Sequence, residues 1–341
     1  MNDLPASESP ESNGPRRGRW FSLLCLGCAW AATLVMALCV VLRIGWHDAF
    51  LGLVWVNAFT AYFYLPAYAC LAWAVWQRRW WLATLNLLII AFHLSWVVPE
   101  LLPVDRRQPA ATPAVASPTL RIFYANVLST NTQYDALLEE IAAADPDLIF
   151  TNEFRRSWEH AFAKSPIMQP YLQKNAFARH RYGHMGFYSR LPVSDFQIVW
   201  TENRMSCVFD VSLGGDKLRL LCLHAPRPLE YTVSDYYRYW LSIKSLVAQQ
   251  PEPLIVIGDF NASPFSRVYQ QLTSGRLRSA HHDVGRGYAT TWPNGQHLVP
   301  PIRIDHALLS PQVECLGITE GRGAGSDHRP LIVDVRLRAE E

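Results

Sequence analysis

Three apolar runs occupy most of the first hundred positions of the 341-residue chain: Trp20 to Leu42, Phe50 to Trp76 and Trp80 to Val98. Each is long enough to cross the hydrocarbon core of a bilayer, so this half reads as membrane and not as globule. Tryptophan agrees, because 9 of the 13 Trp residues precede residue 101 and six of those (Trp20, Trp46, Trp76, Trp80, Trp81, Trp96) fall near the ends of runs, as an interfacial belt requires. Residues 1 to 118 hold six Asp/Glu and eight Lys/Arg, nearly all outside the runs. The reading is a cytoplasmic tail over 1–19 followed by three transmembrane helices at about 20–42, 50–76 and 80–98. The first run is too long for the apolar region of a cleaved signal and lacks a small-x-small site. Leu26-Gly27-Cys28 is not a lipidation signal, since most of the apolar stretch follows it. Seven cysteines, four of them within apolar segments (Cys25, Cys28, Cys39, Cys70), show neither a disulfide framework nor zinc spacing.

Asn57, Thr60 and Pro66 interrupt the second run and are tolerable where neighbouring helices meet freed polar groups. His93 in the third run, near a helix end, is expected to face a partner helix or the headgroups. Arg16, Arg17, Arg19, Arg78 and Arg79 fall on one side of the membrane, against Arg43, Arg106 and Arg107 on the other. The first group should be cytoplasmic, which sends residue 99 onward to the extracytoplasmic face; if one apolar run is re-entrant instead of spanning, the sidedness inverts. Pro99, Pro103, Pro109, Pro113 and Pro118 mark a Pro/Ala-rich linker over 99–118, an extended tether reaching some 60 Å at most.

Residues 119–341 are balanced, with 23 Lys/Arg and 23 Asp/Glu, and are long enough for one substantial core. Without a basic footprint, nucleic acid ranks low as a partner. Here the chain repeats a short apolar strand that ends in a polar residue: Leu120 to Ala125 then Asn126, Asp147 to Asn152 then Glu153, Leu218 to Leu223 then His224, Leu254 to Gly258 then Asp259 and Asn261. Asp305 begins a further strand, and Asp327 and His328 precede the last. In a mixed sheet the end of one strand and the start of an antiparallel neighbour share a rim, so all eight residues can converge. Helical spacing marks 134–144 and 232–249 as packing elements, with Tyr236, Tyr237, Tyr239 and Trp240 as core or surface cover. Asp145 before Pro146 reads as a helix-ending turn residue, and His281 and His282 as solvated loop residues.

Carboxylates and amide oxygens are hard ligands that suit magnesium, with manganese as the substitute; zinc would recruit Cys or several His. An Asp259 and Asn261 two apart at the mouth of the apolar Leu254-Ile-Val-Ile strand are costly without a ligand or partner. An Asp305–His328 pair would fix the imidazole tautomer and raise its basicity, which helps to handle a proton or steady an anionic transition state. Together these residues suggest metal-assisted phosphoester hydrolysis.

Asn126, Glu153, Gly186 to Pro192 with Ser189-Arg190, His224, Gly258-Asp259-Phe260-Asn261, Ile304-Asp305-His306 and Ser326-Asp327-His328-Arg329-Pro330 resemble the endonuclease/exonuclease/phosphatase superfamily over about 119–337. That resemblance implies an α/β fold, a four-layer α/β/β/α sandwich with two central mixed sheets. It implies a metal-dependent hydrolase of phosphoester bonds in which Glu153 is the principal Mg2+ ligand, assisted by Asn126, with Asp327 near the metal. Asp259 would orient or deprotonate water, Asn261 would hold a phosphoryl oxygen, and His328 with Asp305 would act as base or transition-state stabiliser. His224 would protonate the leaving group. Thr151-Asn152 replaces the family's more usual apolar-Gln pair before Glu153, and Arg227, after His224, is a substrate-phosphate candidate. Trp292-Pro293 would line the pocket or cap the core. Three spans followed by such a domain also resemble the bacterial VanJ/YafD-like group. The resulting expectation is a multi-pass protein of the bacterial inner membrane whose extracytoplasmic domain (119–341) cleaves a phosphate ester, phosphodiester or pyrophosphate of a lipid-linked substrate. Membrane lipids are its partners, no protein partner can be inferred, and the alternative is a membrane-anchored nuclease acting on DNA or RNA.

Overall fold

The computed structural model describes residues 14–102, 118–176, 184–230, 232–295 and 298–338. The first thirteen residues and most of the expected 99–118 linker therefore lie outside the described residues. The chain divides into two compact units, one of residues 1–45 and 63–94, the other of residues 46–62 and 95–341.

Most of helix Gly14–Trp46 and the first part of helix Trp80–Leu101 supply the apolar lengths of the first unit, and Pro66 sits at the start of helix Pro66–Trp76, where its missing N–H costs nothing. Polar residues inside these segments meet each other: Asn86 donates to Thr33 Oγ1 (3.0 Å), and His93 Nδ1 lies 3.0 Å from the Tyr68 hydroxyl, so His93 does face a neighbouring helix. Among the described residues two helices are long and apolar enough to cross a membrane, Trp20–Trp46 and Trp80–Leu101. The count is three if the second apolar run is one span, but that run is bent by 77° between Leu51–Ala58 and Thr60–Trp76.

The segment before that bend belongs with the second unit, which polar contacts explain. Asp48, fully buried, accepts from the Asn57 amide, from His47 Nδ1 (3.0 Å) and from the Arg267 backbone N–H (2.7 Å). Tyr237 donates to the Asp48 carbonyl (3.2 Å) and Tyr62 to the Pro301 carbonyl (2.7 Å). A buried carboxylate tolerated only with such partners pins residues 46–62 to the α/β domain. Glu100 does the same: it accepts from the fully buried Arg303 at 2.6 Å and pairs with His282 at 3.1 Å. The expected tether thus does not begin at Pro99, because the helix runs to Leu101 and Glu100 is anchored.

The rest of this unit is an α/β/β/α sandwich. Among the described residues twelve strands, β1 (Thr119–Asn126), β2 (Leu148–Asn152), β3 (Gln173–Ala176), β4 (Met185–Ser189), β5 (Val193–Thr201), β6 (Arg204–Leu213), β7 (Asp216–His224), β8 (Leu254–Asp259), β9 (Arg278–Ser279), β10 (Asp305–Leu309), β11 (Val313–Glu320) and β12 (Leu331–Leu337), form two six-stranded sheets. Their orders are β11-β12-β1-β2-β4-β3 and β5-β6-β7-β8-β10-β9. Both are mixed, with β1/β2 and β7/β8 parallel and their neighbours antiparallel. Strict alternation assigns the faces. Leu120, Ile122 and Tyr124 of β1 meet Leu218, Leu220 and Cys222 of β7 and Ile255 and Ile257 of β8 between the sheets. Phe123 and Ala125 pack outward under helices Tyr134–Ala144 and Arg156–Lys164, while Leu221, Leu223 and Val256 pack under Val233–Gln249. Apolar on both faces, the central strands read as near-continuous apolar runs. Each fully buried large side chain contributes about 1.5–3 kcal/mol.

Asp145 ends helix Tyr134–Ala144 in the left-handed conformation (φ 46°), as a turn-forming residue should. His281 and His282 correct the expectation of a solvated loop: they lie on the short helix Ala280–Asp283, and His281 is fully buried with Nε2 3.0 Å from Glu320. Burial, helped by the charge of Arg303, pushes the His281 pKa down to about 4. Burial alone would raise Glu320, but His281 and Arg286 outweigh it and hold it at about 2. Both shifts are downward, so the unfolded chain binds protons that the fold refuses, and stability falls as pH drops from about 6.5 to 4 (His281) and on toward 2 (Glu320). Thermal melts of the full chain in detergent should show a falling midpoint between pH 7 and 4.5, and His281→Gln should flatten that fall. An equal slope in both proteins would remove His281 from the acid response.

Candidate active site

Register brings the rim together. β7 and β8 end side by side with His224 opposite Asp259, and the antiparallel β10 begins with Asp305 opposite Asp259 from the other side. In the other sheet β1 and β2 end with Asn126 opposite Asn152, so Glu153 emerges next to Asn126. Gly258 permits the β7/β8 approach: at φ 151° it presents no side chain where a Cβ would lie 2.0 Å from the Leu223 carbonyl oxygen. Glu153 and Asn261 both adopt the left-handed region (φ 58° and 46°), a backbone cost of the sort that concentrates at functional sites.

Asp259, almost wholly buried, is the hub. Its Oδ1 accepts from the Asn261 backbone N–H (2.8 Å), and its Oδ2 accepts from the Asn126 amide (3.2 Å). The same oxygen lies 3.6 Å from His224 Nε2 and 3.8 Å from His328 Nε2. His328 Nδ1 is 2.8 Å from Asp305 Oδ2, as the sequence led one to expect. Across the Asn126 amide is Glu153, whose Oε1 also faces Arg227 Nη2 (3.3 Å) and whose Oε2 accepts from the Ser129 N–H (2.9 Å). Asn261 donates through its side chain to the Ala225 carbonyl (2.9 Å). Asp327 accepts from Trp292 Nε1 (3.2 Å) at one oxygen, while its other, Oδ1, is buried without a hydrogen-bond partner. All eight rim residues and Arg227 therefore share one site, and Trp292 lines its cavity. His306, inside the Ile304-Asp305-His306 motif, does not join them: it is buried against Phe260 and Tyr269 and hydrogen-bonds the Ala262 carbonyl (2.8 Å).

The electrostatics follow from crowding. Burial would lower His328, but Asp305 and Asp259 outweigh it and raise it to about 10, so the imidazole is a cation at neutral pH. Burial, with Asp305 close by, lifts Asp259. Burial also lowers His224 and keeps it neutral, against the pull of Glu153. Glu153 itself is held well below the carboxylate range, burial being outweighed by His224, the Ser129 N–H, Asn126 and Arg227.

Asp259, Asp305 and His328 present ligand atoms all within 4.8 Å of one another, a group compatible with a divalent metal. The motif pointed instead to Glu153, Asn126 and Asp327. Both Asp305 oxygens are already engaged, one by Tyr124 and one by His328, which fits an orienting carboxylate. Glu153 and the orphaned Asp327 Oδ1 have the acceptor chemistry a hard cation requires. Asn126 as placed turns its N–H toward both acids, so it would have to turn over to ligate through oxygen.

Sequence reading missed the layer beneath. The Tyr124 hydroxyl donates to Asp305 Oδ1 (3.1 Å) and accepts from Asn152 Nδ2 (3.0 Å), which also reaches the Leu223 carbonyl (3.0 Å). Ser326 Oγ donates to the Asn126 carbonyl (2.6 Å) and accepts from the His328 N–H (3.1 Å). Thr291 Oγ1 accepts from the N–H groups of Ile304 and Asp305. Tyr124 was hidden by its place in an apolar alternation; only the polar Asn152, an odd residue for a buried strand, gave a signal. Tyr124→Phe leaves a buried carboxylate oxygen and a buried amide each one partner short, and should cost about 1–3 kcal/mol in chemical denaturation. A loss under about 0.5 kcal/mol would mean that other donors take over.

The family model described as Endonuclease/Exonuclease/phosphatase family matches residues 123–328. No curated protein matches the chain. Among solved structures, TDP2 of D. rerio complexed with single strand DNA product is similar (TM-score 0.52, 19% identity, 64% of this chain and 99% of that one). So are an endonuclease/exonuclease/phosphatase family protein of Bacteroides thetaiotaomicron (0.53, 16%, 66% and 100%) and the mannosyl-6-phosphatase of the same organism (0.50, 16%, 64% and 100%). The expectation that ranked nucleic acid below a lipid-linked substrate is corrected by these likenesses, since the same fold serves TDP2 with its DNA product. A neutral net charge does not count against a substrate gripped locally at a rim. With the fold, the clustered acids and imidazoles and a family match over residues 123–328 in agreement, this chain belongs to the endonuclease/exonuclease/phosphatase family of metal-dependent phosphoesterases.

Proposed function

We propose that the protein is a membrane-anchored phosphodiesterase that cleaves nucleic acid, taken as single strands, with a divalent cation. The convergence of Asp259, Asp305 and His328 within 4.8 Å, beside Glu153 and Arg227, carries the reading. Glu153 and Asp327, with Asn126, would hold the cation, which neutralises charge on the scissile phosphate. Asp259, raised by burial, takes a proton from the attacking water as its oxygen bonds to phosphorus. His224, neutral and 3.6 Å from Asp259, is placed to relay that proton to the departing oxygen as the P–O bond breaks. His328, kept cationic by Asp305, and the Asn261 amide face the phosphoryl oxygens, and Arg227 contributes a second positive charge. Aromatic side chains along the same cavity, which base stacking can use, favour a nucleic-acid substrate. Full-length protein with magnesium should release mononucleotides or short fragments from single-stranded oligonucleotides, and Glu153→Gln should need at least about tenfold more magnesium for half-maximal rate. An unchanged magnesium titration would take Glu153 out of the metal site.

The anchor we propose is multi-pass, in a bacterial inner membrane, with the site on the extracytoplasmic face. The docking of residues 46–62 within the α/β unit supports a first crossing by Trp20–Trp46 that ends on the side of the active site. The Arg78-Arg79 pair then lies on the opposite, cytoplasmic side. Alkaline phosphatase fused after residue 341 should be active; a fluorescent protein that lights up there in its place would put the site in the cytoplasm.

A further inference from the structure

The Trp292-Pro293 motif sits at the rim, yet none of the chemical steps uses it. Its loop clamps the loop that carries Asp327 and His328. The Arg329 N–H donates to the Thr291 carbonyl (2.8 Å), the Asn294 N–H donates to the Asp327 carbonyl (2.7 Å), and Asn294 Nδ2 donates to the carbonyls of Arg322 (2.8 Å) and Ser326 (3.1 Å). Trp292 is in turn bridged to Ile302, its backbone N–H 2.9 Å from the Ile302 carbonyl, just before Asp305 opens β10. Within this frame the indole Nε1 donates to Asp327 Oδ2 (3.2 Å), while Oδ1 is buried and has no hydrogen-bond partner. Both residues line the cavity that also meets Asn261 and His328.

We propose that Trp292 is a positioning residue for the cation: its indole N–H holds one oxygen of Asp327 and so fixes the carboxylate with Oδ1 as the oxygen left to ligate. A carboxyl group turns easily about its last bond, where the torsional wells are broad. A single donor on one oxygen stops that turning without occupying the other. The indole is a donor only, so it also matches the ionised acid, whose oxygens only accept. An acceptor buried with no donor is costly, and a divalent cation removes that cost. Packing by itself does not call for such a contact. Trp158, wholly buried beneath the helices that cover β1 and β2, leaves its Nε1 unpartnered, whereas the half-buried Trp292 places its N–H on an acid. Outer partners of metal-ligating carboxylates are worth about 10–100-fold in metal affinity. The role rests on Asp327 as a ligand in the proposed function, and it supplies the group that aims that ligand.

The test is direct Mn2+ binding by the full-length protein in detergent without substrate, read from the electron paramagnetic resonance signal of the free ion. Two changes remove the N–H: Trp292→Phe, and replacement of the tryptophan at position 292 by its sulfur isostere, benzothienylalanine, which keeps the bicyclic ring and its volume. Each should raise the Mn2+ Kd about tenfold or more. Asp327→Ala should raise it at least as much, and adding the isostere to Asp327→Ala should change nothing further, because the indole acts through that carboxylate. Wild-type affinity in the isostere protein would reduce Trp292 to packing and overturn the proposal while leaving Asp327 a ligand. Unchanged affinity in Asp327→Ala would remove Asp327 from the metal site, and the positioning role with it. An undiminished loss from the isostere in the Asp327→Ala background would overturn the proposal too, since the indole would then act on another group. Absence of Mn2+ binding by the wild type sinks both the metal reading and the positioning role.

Discussion

The Asp305 carboxylate is the interaction on which the rest of the site depends. Fully buried, it bridges the two sheets at their shared rim: Tyr124 of β1 donates to one oxygen and His328, from the loop before β12, holds the other. A buried carboxylate without partners is prohibitively costly, so the two sheets and the 326–328 loop must adopt the relative positions that supply those donors. The same contacts keep His328 charged beside Asp259. Structural satisfaction and chemical readiness are here one arrangement, with the fold's polar demand at the rim met by the groups that the reaction uses.

Around that bridge the architecture works by register. Parallel pairing of β7 with β8 sets His224 beside Asp259, and antiparallel pairing of β8 with β10 sets Asp305 on its other flank. A slip by one residue in either pair would turn the carboxylates from the rim into the apolar layers, where nothing could solvate them. Gly258 enforces the first of these registers by admitting the Leu223 carbonyl where no side chain fits.

Polar anchoring also decides how the membrane-region sequence is used. Asp48 and Glu100 are acids next to apolar helices, and each is buried against the α/β unit: the Asp48 carboxylate accepts from the Arg267 backbone N–H while its carbonyl accepts from Tyr237, and Glu100 pairs with Arg303 and His282. Removing such partners leaves a buried polar group unsatisfied, so these contacts fix the neighbouring segment more firmly than apolar packing alone would. Apolar length is thus an incomplete guide to membrane crossing: residues 51–58 are as apolar as a spanning helix, yet they line a cavity in the α/β unit.

Much of this was written in local chemistry. The strands that end in Asn126, Glu153, His224 and Asp259, the pairing of Asp305 with His328, and helix Tyr134–Ala144 ending at Asp145 were all legible, because strand alternation, helix spacing and turn-forming residues are properties of short stretches. The resemblance of the motifs carried the two-sheet sandwich. Other features depended on partners distant in sequence. His281 reads as a loop residue until Glu320 is folded against it, and Tyr124 reads as core until Asp305 and Asn152 arrive at its hydroxyl. Asn57, Thr60 and Pro66 mark an interruption in the second apolar run but not its bend, since Asp48 meets the Arg267 backbone N–H only across more than two hundred residues. The sequence by itself determined which groups the protein has and which strand ends carry them. Tertiary structure decided which of those groups are buried together, because desolvation and charge pairing depend on distances that no local pattern encodes.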